Sequence, residues 1–306
     1  MRVIRAEVLG MCFGVRDALR VVERIGDPGG VIVHGELVHN EVVLGDMERR
    51  GFAIRREAER STAELPRGHR VLITAHGISD RERTRLEAAG NELLDTTCPL
   101  VIRVHLAARN LHEEGYHVLV LGRKGHVEVR GVVEDLERVD VIEDEADVRD
   151  FGLPRLGIVC QTTTPESRAA ELRRRIAACN PDSEIRFVDT VCQPTKDHQR
   201  ALERLLDRVD AVVVVGGRSS NNTRQLLELC HLRGRPARLV TSADELDEGW
   251  LAGFASVGLT AGTSTLDRTI DEVHRALVQI GTRMNGPLPA DCCPADPGLV
   301  RSDALA

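Results

Sequence analysis

Cys12, Cys98 and Cys192 stand 86 and 94 residues apart, each at the join between a strand-like run and a helix-like run. Their flanks agree: MRVIRAEVLGMC precedes FGVRDALRVVE, NELLDTTC precedes PLVIRVHLAARNL, and EIRFVDTVC precedes QPTKDHQRALERLL. A thiol at a helix N-terminus meets the positive end of the helix dipole, so its pKa is expected to fall toward the thiolate that binds metal. Three such thiols in matching places predict one metal site on a pseudo-threefold axis. None of the three has a CxxC partner and no fourth cysteine is in register, so one coordination position is expected to stay open. Structural zinc sites are closed, commonly by four Cys or His ligands with a local CxxC pair. The long spacing favours an iron–sulfur cubane with one iron facing a cavity, although four cysteines are the usual ligands and zinc remains the alternative.

Polar residues gather beyond the apolar runs of the same repeat. VIVHGELVHN (31–40) supplies His34, His39 and Asn40; HVLVLGRKGHVEV (117–129) supplies His126 and Glu128; DAVVVVGGRSSNN (210–222) supplies Ser219, Ser220, Asn221 and Asn222. A second set of runs, RVLITAHGIS (70–79), RLGIVCQTTT (155–164) and ASVGLTAGTS (255–264), adds His76, then Gln161, Thr162 and Thr163, then Thr263 and Ser264. Imidazoles, hydroxyls, amides and helix N-termini together suit a phosphate or diphosphate. Any one of these on a loop is ordinarily structural or solvated; their shared placement at strand ends is what points to a ligand. Glu128 differs in kind, because a carboxylate among anion-binding donors repels the ligand unless it handles protons. In an extended segment Glu128 and His126 would face the same side. Glu128 reads either as a general acid or as a glutamate favoured by a helix dipole. Cys160, Cys179 and Cys230 fall on a strand end and two helices and read as packing residues. Cys292-Cys293 lies in PLPADCCPADP and has no assigned role.

Placing these residues together takes a threefold α/β repeat. Each unit of about 90 residues alternates strand and helix. Its continuous Val/Ile/Leu strands are those of small, mostly parallel sheets covered by helices. Ligands bind beyond the C-terminal ends of such strands, so nine loops can converge on one central cavity. The expected units are lobe one (1–97, with Cys12, His39 and His76), lobe two (98–191, with Cys98, His126, Glu128 and Thr162) and lobe three (192–281, with Cys192, Ser220, Asn222 and Ser264), followed by an irregular tail (282–306). A net charge of −7 and 2% aromatic residues argue against a nucleic-acid partner. No apolar run approaches the roughly 20 residues of a membrane span, and the first residues lack a signal-peptide core. Eight cysteines without such a signal are expected to be reduced thiols in the cytoplasm.

In combination, these residues resemble the 4-hydroxy-3-methylbut-2-enyl diphosphate reductase family, over roughly residues 1–281. The motifs are Cys12 with Gly14-Val15, His39-Asn40, Ala75-His76-Gly77, Thr97-Cys98-Pro99-Leu100, Gly125-His126-x-Glu128-Val129, Gln161-Thr162-Thr163, Cys192, Ser220-x-Asn222 and Ala261-Gly262-x-Ser264. The resemblance implies a trefoil-like, three-lobed α/β fold around a [4Fe–4S] cluster whose protein ligands are Cys12, Cys98 and Cys192. The fourth iron would take the allylic hydroxyl of the substrate. His39, His76, His126, Ser220, Asn222 and Ser264, with Asn221 among them, would hold the diphosphate. Thr162 would contact the hydroxyl end, and Glu128 would head proton delivery. A ferredoxin or flavodoxin would supply electrons, and the products would be isopentenyl and dimethylallyl diphosphate. The chain departs from the family pattern at Met11, where Phe is usual, at Asn221, where Ser is frequent, and at Leu266, where Pro is common. These differences leave open a divergent iron–sulfur paralogue acting on another small diphosphate. A zinc-containing phosphate-ligand binding protein is a third reading.

Overall fold

The computed structural model describes residues 1–60 and 66–284. From the N-terminus come strand β1 (Arg2–Arg5) and helix α1 (Phe13–Glu23), then β2 (Val31–His34), α2 (Glu41–Arg50), β3 (Ala53–Arg55), α3 (Glu57–Arg60), β4 (Arg70–Ile73), α4 (Asp80–Ala88) and β5 (Glu92–Asp95). The order repeats as α5 (Pro99–Glu113), β6 (His117–Leu121), α6 (Val127–Val133), β7 (Val139–Ile142), β8 (Arg155–Cys160), α7 (Glu166–Cys179) and β9 (Glu184–Phe187). It repeats again as α8 (Gln193–Leu206), β10 (Ala211–Val215), α9 (Asn221–Leu232), β11 (Ala237–Val240), α10 (Glu248–Leu251), β12 (Ser256–Ala261) and α11 (Asp267–Met284).

Among the described residues there are three four-stranded sheets, in the orders β3-β2-β4-β5, β7-β6-β8-β9 and β11-β10-β12-β1, and every pairing in them is parallel. The expected α/β class and threefold repeat hold. One strand sits elsewhere than the sequence order suggests. Arg2–Arg5 pairs with β12, Val3 opposite Val257, so the strand that opens the first expected unit completes the third sheet. The reason lies in the repeat itself: β5 and β9 also precede a cysteine helix and also lie at the edge of the preceding sheet. A trefoil closes only if the N-terminal strand returns to the last lobe, where Ile4 and Ala6 join its core.

In each sheet the chain runs from an inner strand to one edge and then crosses to the other side. Strand order therefore reverses between β2 and β4, between β6 and β8, and between β10 and β12, and crevices for ligands open beyond the strand ends at such points. The inner strands are buried almost throughout, as their unbroken apolar sequences require. The cysteine helices lie directly on them. A Cβ at Gly157 of β8 would meet Leu111 of α5 at 3.0 Å, and one at Gly258 of β12 would meet Leu205 of α8 at 2.9 Å. Helix α11 runs to Met284, past the expected end of lobe three, and Cys292-Cys293 lies outside the described residues. No helix among the described residues is long and apolar enough to cross a membrane.

Candidate active site

Cys12, Cys98 and Cys192 are the N-cap residues of α1, α5 and α8, all in extended conformation. Each is pinned in the same way by its backbone. The N–H of Cys12 donates to Thr263 O at 3.0 Å, that of Cys98 to Ala75 O at 3.0 Å, and that of Cys192 to Thr162 O at 2.9 Å. The second loop of each lobe thus holds one cysteine, and the three thiols line one cavity with His39, His76, His126, Glu128, Thr162, Ser220, Asn221, Asn222 and Ser264. The site residues implied by the resemblance all line this cavity, with Thr163 and Thr263, but His34, Asn40, Gln161 and Ser219, gathered from the same loops in the sequence, do not. His34 pairs with Glu82, Gln161 accepts from the Arg123 N–H, and Asn40 caps α2.

The same wall shows a second level of equivalence. Asn40, His126 and Ser220 cap α2, α6 and α9, each accepting from backbone N–H groups of the first turn. Glu128 and Asn222 are the second residues of their helices and do matching work. Thr162 donates its N–H to Glu128 Oε1 at 2.7 Å and its hydroxyl to Glu128 Oε2 at 2.9 Å. Thr263 donates its N–H to Asn222 Oδ1 at 3.0 Å. The carboxyl of lobe two and the amide of lobe three therefore occupy corresponding places, and Val42 fills that place in lobe one.

His39, His76 and His126 form a contact triad. The rings of His39 and His76 stack at 4.3 Å, and His126 stands edge-on to both, at 5.2 and 5.7 Å. Burial and the neighbouring histidines hold His76 well below the usual imidazole range, with the Arg60 guanidinium adding to the effect. Burial takes His126 down to about 3, His39 and Arg123 adding to it. His126 Nδ1 accepts the N–H of Glu128 at 3.2 Å, which leaves the ring proton on Nε2. Two buried nitrogens here have no protein partner, His76 Nε2 and Asn222 Nδ2, and such groups call for a hydrogen-bonding ligand or water.

Glu128 is 2% exposed. Burial raises its carboxyl to about 7, against the lowering effect of the two hydrogen bonds from Thr162 and of His39. Glu128 lies in the first turn of α6 rather than in an extended segment, yet desolvation outweighs the dipole and makes it a proton-holding group near neutrality.

The thiols differ from expectation. Cys12 and Cys98 are raised by burial, and Cys192 is pushed up by burial to about 11. The lowering by helix N–H groups is real but smaller, because the three sulfurs share a poorly solvated cavity with one another and with Glu128. Ionising them takes a cation, and metal binding releases those protons. Three thiols on one cavity wall form a soft donor set of the kind that iron–sulfur clusters take; among the described residues no three His, Cys, Asp or Glu side chains lie close enough together to hold a single metal ion. A Cβ at Gly14 would lie 2.5 Å from Cys98 Sγ, so only glycine leaves that sulfur its place.

The family model described as LytB protein matches residues 3–278. A 4-hydroxy-3-methylbut-2-enyl diphosphate reductase from Methylibium petroleiphilum is 37% identical over 287 residues, spanning 91% of this chain and 85% of its own. One from Dehalococcoides mccartyi is 34% identical over 89% of this chain and 96% of its own. This chain belongs to the LytB family. Among solved structures, the E-1-hydroxy-2-methyl-but-2-enyl-4-diphosphate reductase of Plasmodium falciparum superposes with a TM-score of 0.83 at 27% identity, covering 90% of this chain and 87% of that one. A second, (E)-4-hydroxy-3-methyl-but-2-enyl diphosphate reductase, described as the terminal enzyme of the non-mevalonate pathway, gives 0.64 at 31% identity over 91% of this chain and all of that one.

Within this LytB framework the departures from the family pattern have local explanations. Met11 and Leu266 both pack against the core of lobe one, so each meets a demand for apolar volume. Asn221 donates to Thr163 Oγ1 at 2.8 Å and ties lobe three to lobe two. Cys160 and Cys230 are fully buried in apolar clusters, while Cys179 is exposed on α7. Sequence reasoning missed Glu36, whose carboxylate accepts from His39 Nδ1 at 3.0 Å. It also missed Arg60, buried and paired with Glu57 and Glu82. Glu36, three residues before His39, was the one findable signal; EAER around Arg60 reads as an ordinary surface helix.

Proposed function

We infer that this chain reduces 4-hydroxy-3-methylbut-2-enyl diphosphate to isopentenyl and dimethylallyl diphosphate, with Cys12, Cys98 and Cys192 holding a [4Fe–4S] cluster. The observation that carries this reading is the convergence of three capping thiols, buried unpartnered nitrogens and one raised carboxyl on a single cavity. When bound, the cluster supplies electrons and a Lewis-acidic iron. Overall, two electrons and two protons replace the allylic hydroxyl by hydrogen and release water, leaving the diphosphate ester intact. A small low-potential donor of the ferredoxin or flavodoxin kind supplies the electrons.

The remaining work falls to the chain. His39, His76, His126, Ser220, Asn222 and Ser264 bind the diphosphate, with Asn221 holding the Thr163 loop against them. Neutral His76 and Asn222 donate from Nε2 and Nδ2, and binding at this remote end positions the reacting carbon. Glu128 holds the proton. Thr162, bonded to both carboxyl oxygens, fixes its orientation and presents a hydroxyl toward the reacting end of the ligand.

Iron and sulfide analysis of anaerobically purified protein tests the ligand set. Cys12→Ser, Cys98→Ser and Cys192→Ser should each lose iron and visible absorption, while exposed Cys179→Ser keeps both. Equal loss in Cys179→Ser would refute the assignment.

A further inference from the structure

The three cysteine caps are alike in backbone and unlike in one side chain. Three residues into each helix stand Val15, Val101 and Thr195. At the caps of Cys12 and Cys98 the sulfur is approached by backbone N–H groups and by no hydroxyl, whereas Cys192 Sγ lies 3.0 Å from Thr195 Oγ1 and accepts from the Thr195 N–H at 3.4 Å. Thr195 is 0% exposed, so water does not compete for its hydroxyl. With the thiol protonated, either atom can donate. Once a metal has taken the thiol proton, the sulfur can only accept, and the hydroxyl hydrogen is the one left between the two atoms.

We propose that Thr195 is a tuning residue for the cluster, breaking its pseudo-threefold symmetry by a hydroxyl hydrogen bond to the Cys192 thiolate. The inference rests on the cluster reading above. A hydrogen bond to a ligating sulfur draws negative charge off it and favours the reduced, more negative state of the one-electron couple. Thr195 therefore makes the cluster easier to reduce than three valine-flanked caps would. Valine is the natural contrast, since it has the shape of threonine without the hydroxyl and fills the two equivalent positions in this same chain.

The test is a potentiometric titration of the cluster-loaded protein, followed by electron paramagnetic resonance of the reduced state, with iron and sulfide measured on each sample. Thr195→Val should keep its iron and shift the midpoint downward, while Thr195→Ser restores the wild-type value. Val101→Thr places a hydroxyl at the equivalent cap and should shift the midpoint upward; it carries the test if Thr195→Val fails to hold its cluster. An unchanged midpoint in cluster-replete Thr195→Val, or an unchanged or lowered one in Val101→Thr, would overturn the proposal. Wild-type protein without iron and sulfide would instead refute the cluster reading itself.

Discussion

Glu128 shows how burial and chemistry compete at one residue. Its carboxyl sits at about 7 in the folded chain against an ordinary 4.5, so it is able to give up a proton near neutral pH. Glu128→Gln keeps the size and both Thr162 partners, and Asn222 already shows an amide tolerated at the corresponding place. Loss of a general acid costs about a hundredfold to ten-thousandfold in rate. The variant should hold its iron and bind the diphosphate normally, yet lose at least roughly a hundredfold in kcat with a reduced viologen as donor; near wild-type turnover would place the proton source elsewhere. With Glu128 as the proposed proton donor its acid form is the active one, and wild-type kcat should fall as pH rises through about 7. The same shift has a stability consequence. A carboxyl whose folded pKa is raised favours folding fully below about 4.5 and loses that contribution as pH rises to about 7. The metal-free Glu128→Gln protein should therefore resist urea better than wild type at pH 8, by a few kcal/mol at most, and no better at pH 4; equal midpoints at both pH values would show that Glu128 is not a buried strain on the fold.

At the scale of elements, the sequence was most legible where strand ends meet helix starts. Three strand–cysteine–helix joins, six polar loops and the apolar strands were all readable, because burial on both faces leaves an unbroken Val/Ile/Leu signature. Two things were not readable. The pairing of Arg2–Arg5 with β12 depends on a partner more than 250 residues away, and nothing in four residues specifies it. The thiol pKa values depend on how deeply the caps are buried, which local pattern cannot report. Gly14 illustrates the second limit. In the first turn of α1, a change from glycine to alanine would ordinarily stabilise the helix by up to about 1 kcal/mol. Here the added Cβ would lie 2.5 Å from Cys98 Sγ. Gly14→Ala should leave the helix content intact by circular dichroism while cutting iron retention sharply. Full iron loading would mean that Cys98 has room to move and that the glycine is not needed by the cluster.

The whole molecule works by bringing three lobes to one cavity, and the lobes meet through backbone as much as through charge. Lobe three closes on lobe one where Asn40 donates from Nδ2 to Ser264 O at 2.7 Å, Ser264 reaches His39 O at 3.3 Å, and the Arg218 N–H donates to Glu41 Oε1 at 3.0 Å. The exposed Arg268–Asp46 pair spans the same seam, but such a pair contributes little. Gly217 is the tightest point: a Cβ there would lie 2.4 Å from His39 O and 2.8 Å from Glu41 Oε2. Gly217→Ala must therefore push apart the loops that carry Ser220 and His39, which belong to the two lobes supplying most of the anion donors. Its nearest neighbours are His39, Asn40 and Glu41 rather than any thiol, so the cysteine caps should stay in register. Iron content should be unchanged, while affinity for a diphosphate ligand, read by isothermal titration, should weaken roughly tenfold, about 1.4 kcal/mol. Turnover at saturating substrate should fall less than affinity, since the proton donor in lobe two is not displaced. Unaltered binding would show that the diphosphate is held within single lobes. Loss of iron along with binding would show that the seam between lobes one and three positions the thiols as well, and that anion site and cluster site form one mechanical unit.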